Sequence, residues 1–364
     1  MPSSVEWRAS DDRVSRLGEP LHYSATRPAR NSIGTMTSLA LVFYIVAAVI
    51  VAATALPIWQ TSLWWVRLCD FPRYQIVILA LAVLISMPLA LGPLTEAELV
   101  LFLAVLLAAL WQISWIWRYL PGAPLEVPTS EAGPRAPSRF GLLTTNVFQD
   151  CRDASALLQI ISDADPDLIL AVETDEWWCS RLSQALRTRY PYGLTYPLSN
   201  GYGMAMFSRL ELLQPTIRFL VDDAIPSIKT GVRLRSGAVI DLYGLHPQPP
   251  APLQDSTERD VELVLVGVEI ESTRRPSVAL GDLNDVAWSP TTAAFARAGD
   301  LRDPRRGRGF FNTYPARLPG LRYPLDYVFH TRHFSISNMR VLPKTGSDHL
   351  PLIAVLALDQ VDHG

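Results

Sequence analysis

The sequence predicts a layered α/β domain of largely antiparallel sheet, preceded by three membrane-spanning helices. Two features carry that prediction. Apolar residues gather before residue 118 in three long runs without a charge, and beyond residue 137 they break into short runs separated by turns. Strand-like and helix-like segments in this second part mix without a strict βαβ rhythm, which favours helices layered on mostly antiparallel strands.

The first 35 residues are polar, rich in arginine, serine and proline, and read as a disordered cytoplasmic tail. Met36 is an alternative start, and beginning there would remove the positive flank. Residues 36–119 read as a membrane anchor. Ser38–Leu56 (19 residues), Tyr74–Leu91 (18) and Leu99–Trp117 (19) carry no charge. Each suffices to cross roughly 30 Å of hydrocarbon as a helix. Trp59, Trp64 and Trp65 follow the first run, and Trp111, Trp115, Trp117 and Tyr119 border the end of the third, where interfacial aromatics belong. Pro88 lies near the end of the second run, where a kink is tolerated. Buried core helices, a cleaved signal ending near Ala53-Thr54-Ala55 and a re-entrant hairpin about Gly92–Glu98 are weaker alternatives. The runs are three, closely spaced, and the first is longer than a signal core.

Arginine sets the expected orientation. Arg8, Arg13, Arg16, Arg27 and Arg30 precede the first run, Arg67, Arg73, Arg118 and Arg135 flank the opposite side, and Gly92–Glu98 has none. This excess favours a cytoplasmic N-terminus. Three crossings then place everything after residue 118 outside the cytoplasm. Lys229 and Lys344 are the only lysines, a bias toward arginine that fits a GC-rich bacterial coding sequence, so the expected location is a bacterial inner membrane.

Residues 120–137 contain Pro121, Gly122, Pro124, Pro128, Gly133, Pro134 and Pro137 and read as an extended tether. Residues 138–360 then form the second part. Phe140–Val147, Leu168–Val172, Met204–Ser208, Val239–Leu245, Val278–Leu280, Tyr327–His330 and Leu352–Leu356 read as buried strands. Ala154–Asp163, Glu176–Thr188, Thr257–Ser272 and Thr291–Ala298 read as helices.

Composition narrows the function. The chain is 49% hydrophobic, with a formal net charge of −3 and no global basic field for nucleic acid. Cys69, Cys151 and Cys179 are too few for a disulfide scaffold and lack zinc spacing. Nothing in the sequence implies an obligate protein partner.

Polar residues sit at the ends of the apolar runs. Asn146 closes the first strand, Glu173 the second and His246 the fourth; Asp282 and Asn284 follow Val278–Leu280, Asp326 precedes Tyr327, and Asp348-His349 precedes the last strand. A carboxylate at the end of a buried run is costly unless it meets a metal or a partner. One polar residue can be explained as a turn former or a helix cap. Their recurrence at so many strand ends points to one site on a shared rim.

In order and spacing these residues resemble the endonuclease/exonuclease/phosphatase superfamily. Leu143–Asn146 resembles its first strand. Asp167–Glu173 resembles its "PD-apolar-Q-E" strand, with Val172 in place of the usual Gln. Gly203–Arg209 resembles its "G-apolar-A-apolar-x-S-R" strand, and Leu245-His246-Pro247 its histidine strand. Gly281–Asn284 resembles GDFN with Leu283 for Phe, Leu325–Val328 resembles the IDY strand, and Ser347-Asp348-His349 matches SDH. The resemblance covers roughly residues 138–357 and implies a four-layered, DNase I-like α/β sandwich.

It further implies metal-dependent hydrolysis of a phosphate ester. Glu173 would hold Mg²⁺ or Mn²⁺ with Asn146 or Asp348 nearby, since hard oxygen ligands suit such ions. Asp282 would orient or deprotonate water, Asn284 would hold a phosphate oxygen, and His349 would touch the phosphate or move a proton. Asp326 would fix the tautomer of His349, and His246 would stabilise the transition state. Arg305 and Arg308, in the basic loop before Asp326, are candidate substrate contacts. Substrates would be a phospholipid head group or a nucleic acid, and the bilayer itself a partner through three spans. The alternative is a catalytically idle, membrane-anchored binding module. Cys151 and Cys179 follow the strands ending in Asn146 and Glu173, so neighbouring placement of those strands outside the cytoplasm would let the two pair as a disulfide, a side expectation.

Overall fold

The computed structural model describes residues 33–59, 61–249 and 256–359. The tail expected to be disordered lies outside them up to residue 32. Two compact units, residues 1–45 and 46–364, divide the chain. In the first, the described residues belong to helix α1 (Ile33–Ala55), which continues into the second. The second unit adds the short helix α2 (Trp64–Arg67), then α3 (Arg73–Leu91) and α4 (Glu96–Ile116). Three helical segments are long and apolar enough to cross a membrane: Ser38–Ile58, Arg73–Leu91 and Glu96–Tyr119. Ile78, Ile85, Leu89, Val100 and Leu107 on the last two are exposed, a surface suited to lipid rather than water.

Several polar groups of these helices pair with one another, as a low-dielectric setting favours. Arg73 donates to Gln112 Oε1 (2.9 Å) and pairs with Asp70, and Gln112 Nε2 donates to Thr54 Oγ1 (3.0 Å). A capping box starts α4: the Thr95 N–H donates to Glu98 Oε2 (2.7 Å), and the Glu98 N–H reaches Thr95 Oγ1.

The remainder is a sandwich of two mixed sheets between two helical layers. Its elements are β1 (Arg139–Asn146), α5 (Ser155–Ala164), β2 (Leu168–Val172), α6 (Glu176–Leu186), β3 (Tyr192–Tyr196), β4 (Met204–Ser208), β5 (Glu211–Phe219), β6 (Pro226–Arg233), β7 (Val239–Leu245), α7 (Thr257–Thr273), β8 (Ser277–Asp282), α8 (Pro290–Ala298), β9 (Asp326–His330), β10 (Phe334–Val341) and β11 (Leu352–Leu358). One sheet has the order β10-β11-β1-β2-β4-β3 and the other β5-β6-β7-β8-β9. Pairing is antiparallel except at β1/β2 and β7/β8.

Alternation along each strand builds the layers. Leu142, Leu170 and Met206 of the first sheet face Ile228, Leu242 and Leu280 of the second across the central core. Their neighbours Leu143, Ile169 and Phe207 face outward to Leu157 of α5 and Trp178 and Leu182 of α6. On the other side Tyr243, Ala279 and Phe329 meet Leu263 and Val266 of α7 and Phe295 of α8. Ile116, Tyr119, Phe71 and Tyr74, from the chain before β1, join this last cluster.

Two expectations are corrected. Residues 120–137 are extended, but they are not a loose tether. Val127 is buried in the central core, the Ser130 N–H donates to Ile336 O (2.9 Å), the Ile336 N–H donates to Pro128 O (3.0 Å), and Glu126 pairs with Arg306 (2.7 Å). Cys151 and Cys179 are not bonded: both are free, with Cys179 buried beneath α6.

Candidate active site

Strand direction brings the polar residues together. The parallel pairs β1/β2 and β7/β8 end on one rim, where Asn146, Glu173, His246 and Asp282 stand. Strand β9 runs antiparallel to β8 with Asp282 opposite Asp326, so β9 begins on the same rim. His349 lies just before β11, the antiparallel partner of β1.

Backbone geometry at the rim is specific. Phe148, Glu173 and Asn284 hold left-handed conformations (φ of 56°, 60° and 51°), which cost energy for residues with a Cβ and persist only where surrounding bonds enforce them. Here the Phe148 N–H donates to Asn146 Oδ1 (3.0 Å), and the Asn284 N–H donates to Asp282 Oδ1 (2.9 Å). Gly281, at φ 140°, is the one residue type that fits its position, because a Cβ there would stand 1.9 Å from Leu245 O. That close approach sets His246 and Asp282, the next residue on each strand, side by side.

Asn146 bridges the carboxylates. Its Nδ2 donates to Glu173 Oε1 (2.8 Å) and lies 3.1 Å from Asp282 Oδ2. Ser347, from the SDH motif, donates its hydroxyl to Asn146 O (2.8 Å) and accepts the His349 N–H (3.0 Å), tying the last loop to the first strand. His349 sits between two acids, with Nδ1 2.9 Å from Asp326 Oδ2 and Nε2 3.5 Å from Asp282 Oδ2. Asn284 Nδ2 donates to Pro247 O (2.9 Å), joining the loops after β7 and β8.

These contacts set the electrostatics. Burial alone would lower the His349 pKa, but Asp282, Asp326 and Asp348 outweigh it and hold the imidazolium to about 10. Asp282 is fully buried, and burial raises its carboxyl. His246 is driven to about 4 by burial, against the pull of Asp282, so it is neutral at physiological pH. Glu173 is raised by burial, with the Asn146 amide opposing and Asp282 and Asp348 adding to the rise.

Asp282, Asp326 and His349 form the one close cluster of possible metal ligands among the described residues. Both imidazole nitrogens there already face carboxylates, so the positive charge in that cluster is the imidazolium itself. Glu173 differs: among the described residues it makes no ion pair, its oxygens accept from the Asn146 amide (2.8 Å) and the Gln149 N–H (3.4 Å), and it faces Asp282 and Asp348 as well as His349. Hard carboxylate oxygens so placed, with the Asn146 side chain beside them, fit a divalent cation.

The basic loop is placed otherwise than expected. Arg305 is 1% exposed, donates from Nε and Nη2 to Asp303 (2.9 Å each), and stacks 3.9 Å from the Tyr327 ring centroid. A guanidinium so enclosed supports the start of β9 rather than meeting a substrate. Arg308 donates to the carbonyls of Pro304 (3.2 Å) and Val127 (2.7 Å), so it fastens the segment before β1. Two contributors had no signal in the sequence. The Tyr314 ring lies 4.7 Å from that of His349, and the Tyr202 ring 5.6 Å from that of His246. Both are single aromatics in irregular loops.

The sequence profile of the Endonuclease/Exonuclease/phosphatase family matches residues 143–349, more than half of the chain. No curated protein matches it. Among solved structures, an endonuclease/exonuclease/phosphatase from Beutenbergia cavernae DSM 12333 is similar at a TM-score of 0.51, with 16% identity over 62% of this chain and 73% of that one. A family protein from Bacteroides thetaiotaomicron is similar at a TM-score of 0.50, with 17% identity over 62% and 97%. D. rerio TDP2 complexed with single strand DNA product is similar at 0.50, with 17% identity over 60% and 99%. At such identities the likeness is one of fold.

Proposed function

The chain belongs to the endonuclease/exonuclease/phosphatase family, whose members are phosphoesterases, and on that premise we propose that it is a membrane-anchored, divalent-metal-dependent phosphoric ester hydrolase. The supporting observation is the convergence of Asn146, Glu173, His246, Asp282, Asn284, Asp326 and His349 on one rim, with Glu173 making no ion pair among the described residues. Glu173, with Asn146 or Asp348, would hold Mg²⁺ or Mn²⁺, which when bound neutralises charge on a phosphoryl oxygen.

The side chains divide the remaining work. Asp282 orients water and takes its proton as the water oxygen bonds to phosphorus. The P–O bond to the leaving group breaks, and the leaving oxygen takes a proton from His349, which Asp326 keeps oriented and charged. Asn284 and neutral His246 donate hydrogen bonds to phosphoryl oxygens, roles that need no change of charge. Residues 36–119 serve as the anchor and residues 138–360 as the catalytic part. Its setting, on this reading, is a bacterial inner membrane with the site outside the cytoplasm, and its substrate a phospholipid head group or a nucleic acid.

The full-length protein in detergent is expected to hydrolyse bis-p-nitrophenyl phosphate with Mg²⁺, to lose that activity in EDTA and to regain it on adding Mg²⁺. Absence of any metal-dependent hydrolysis would leave a binding module of the same fold as the better reading.

A further inference from the structure

The loop between the site and the anchor narrows the substrate, given the hydrolase reading above. We propose that the substrate is a phosphoester carried by the lipids of the bilayer that the anchor spans, with the Leu318–Leu321 tip of the Tyr314–Tyr323 loop resting in that bilayer's interface.

The depth of the tip follows from Tyr74. This tyrosine is the second residue of α3, a position where interfacial aromatics belong if α3 crosses the membrane. Its hydroxyl lies 3.0 Å from Gly320 O and 3.1 Å from Arg322 O. Its ring stacks on Phe310 at 5.6 Å, and the preceding Phe71 meets Tyr323 edge-on at 5.4 Å. Gly320 is therefore tied, within the reach of one tyrosine side chain, to the first turn of a spanning helix. Leu318 and Leu321, on either side of Gly320, are 53% and 48% exposed. Apolar side chains held there lose contact with water when they enter the acyl boundary. Exposed Arg317 beside them suits anionic lipid phosphates.

The other end of the loop touches the reacting groups. The Ala316 N–H donates to Asp348 O (2.6 Å), the Leu350 N–H donates to Thr313 O (3.0 Å), and the Tyr314 ring lies against His349. From Tyr314 to Leu318 is four residues, a chain length of at most about 14 Å. A head-group phosphate at the interface is thus a short lift from the imidazole. Arg305, Arg306 and Arg308, the basic loop expected to attract a nucleic acid, are occupied by Asp303, Glu126 and backbone carbonyls.

In the reaction, water bonds to phosphorus and the P–O bond on either the glyceride or the head-group side breaks. The leaving oxygen takes the proton, and either scission frees the head group into water. The test uses the full chain in phosphatidylcholine/phosphatidylglycerol vesicles with Mg²⁺, measuring released head group and, in the same sample, hydrolysis of bis-p-nitrophenyl phosphate. Wild type is expected to act on both. Leu318→Asp with Leu321→Asp should lower the ratio of lipid to soluble turnover at least tenfold. An unchanged ratio, or soluble turnover and cleavage of added plasmid DNA without head-group release, overturns the lipid assignment and leaves the hydrolase reading standing. Inactivity on every substrate overturns both. Independently of turnover, a bimane label on Leu318→Cys, with Cys69, Cys151 and Cys179 replaced by serine, should be quenched by brominated acyl chains. No quenching overturns the interfacial placement of the tip.

Discussion

His349 has carboxylates at both ring nitrogens, and this doubles its use. Asp326 at Nδ1 fixes the ring, while Asp282 near Nε2 shares the face on which substrate would arrive. Replacing either reactive group should cost what a positioned acid or base supplies, about 10²–10⁴-fold. Asp282→Asn and His349→Ala are expected to lower diester turnover by that range with the fold retained, His349→Ala at a lowered unfolding midpoint because it leaves Asp282 and Asp326 buried without their counter-charge; near wild-type rates in either variant would remove it from the mechanism. A titrating residue outside the set assigned to the reaction tests the electrostatics separately. Glu262 on α7 is buried, one of its carboxylate oxygens has no partner, and burial together with Asp222 raises its pKa from 4.5 to about 7. A carboxyl whose folded pKa is raised costs nothing below its unfolded pKa, and the penalty grows as pH rises toward the folded one. Glu262→Gln should therefore stabilise the protein at pH 8 by up to about 3 kcal/mol and have little effect near pH 4.5, read as the shift in unfolding midpoint at the two values. Equal shifts at both would mean that the group is not titrating as its burial implies.

At the scale of elements, the site depends on how closely two strands can lie. Gly281→Ala would press a Cβ into the Leu245 carbonyl, so β7 and β8 must separate at the point where His246 and Asp282 begin. A loss of roughly 3 kcal/mol or more is expected, with activity falling in parallel. A stable and active variant would show that the strands have slack there. The strands carrying the polar rim were legible in the sequence because they are buried and apolar on both faces, and all but the edge strand β9 are central. Strands β3, β5, β6 and β10 were not. Three of these are sheet edges, and their sequences mix polar and apolar residues; β5 holds Pro215 at a register shift and β10 a second shift near Asn338. The rim itself was readable because each polar residue ends an apolar run. The basic loop misled because a run of arginines looks the same in sequence whether it faces solvent or a buried Asp303. Tyr314 and Tyr202 were invisible because their placement is decided by loop geometry alone.

Across the second unit, the helices before β1 and the sandwich are joined by more than chain connectivity. Trp288 Nε1 donates to Asp70 O (2.7 Å), the Tyr119 hydroxyl donates to Ala287 O (2.6 Å), and Arg67 pairs with Asp260 (2.9 Å). All three sit close in sequence to the residues after β8 or to the first turn of α7, so these helices grip the sandwich near the polar rim. The arginine distribution favours the proposed placement of the C-terminal part outside the cytoplasm. A reporter that functions only in the cytoplasm, fused after Gly364, should therefore be inactive, and activity would reverse the orientation. The segment joining the two parts has a further consequence. Because residues 126–130 are laid into the sandwich instead of hanging free, the reactive centre has no leash. It sweeps no volume of its own and meets whatever drifts past at one fixed altitude. Its turnover would then follow the surface density of substrate in the membrane plane, and diluting the vesicles at constant lipid composition should leave it unaltered.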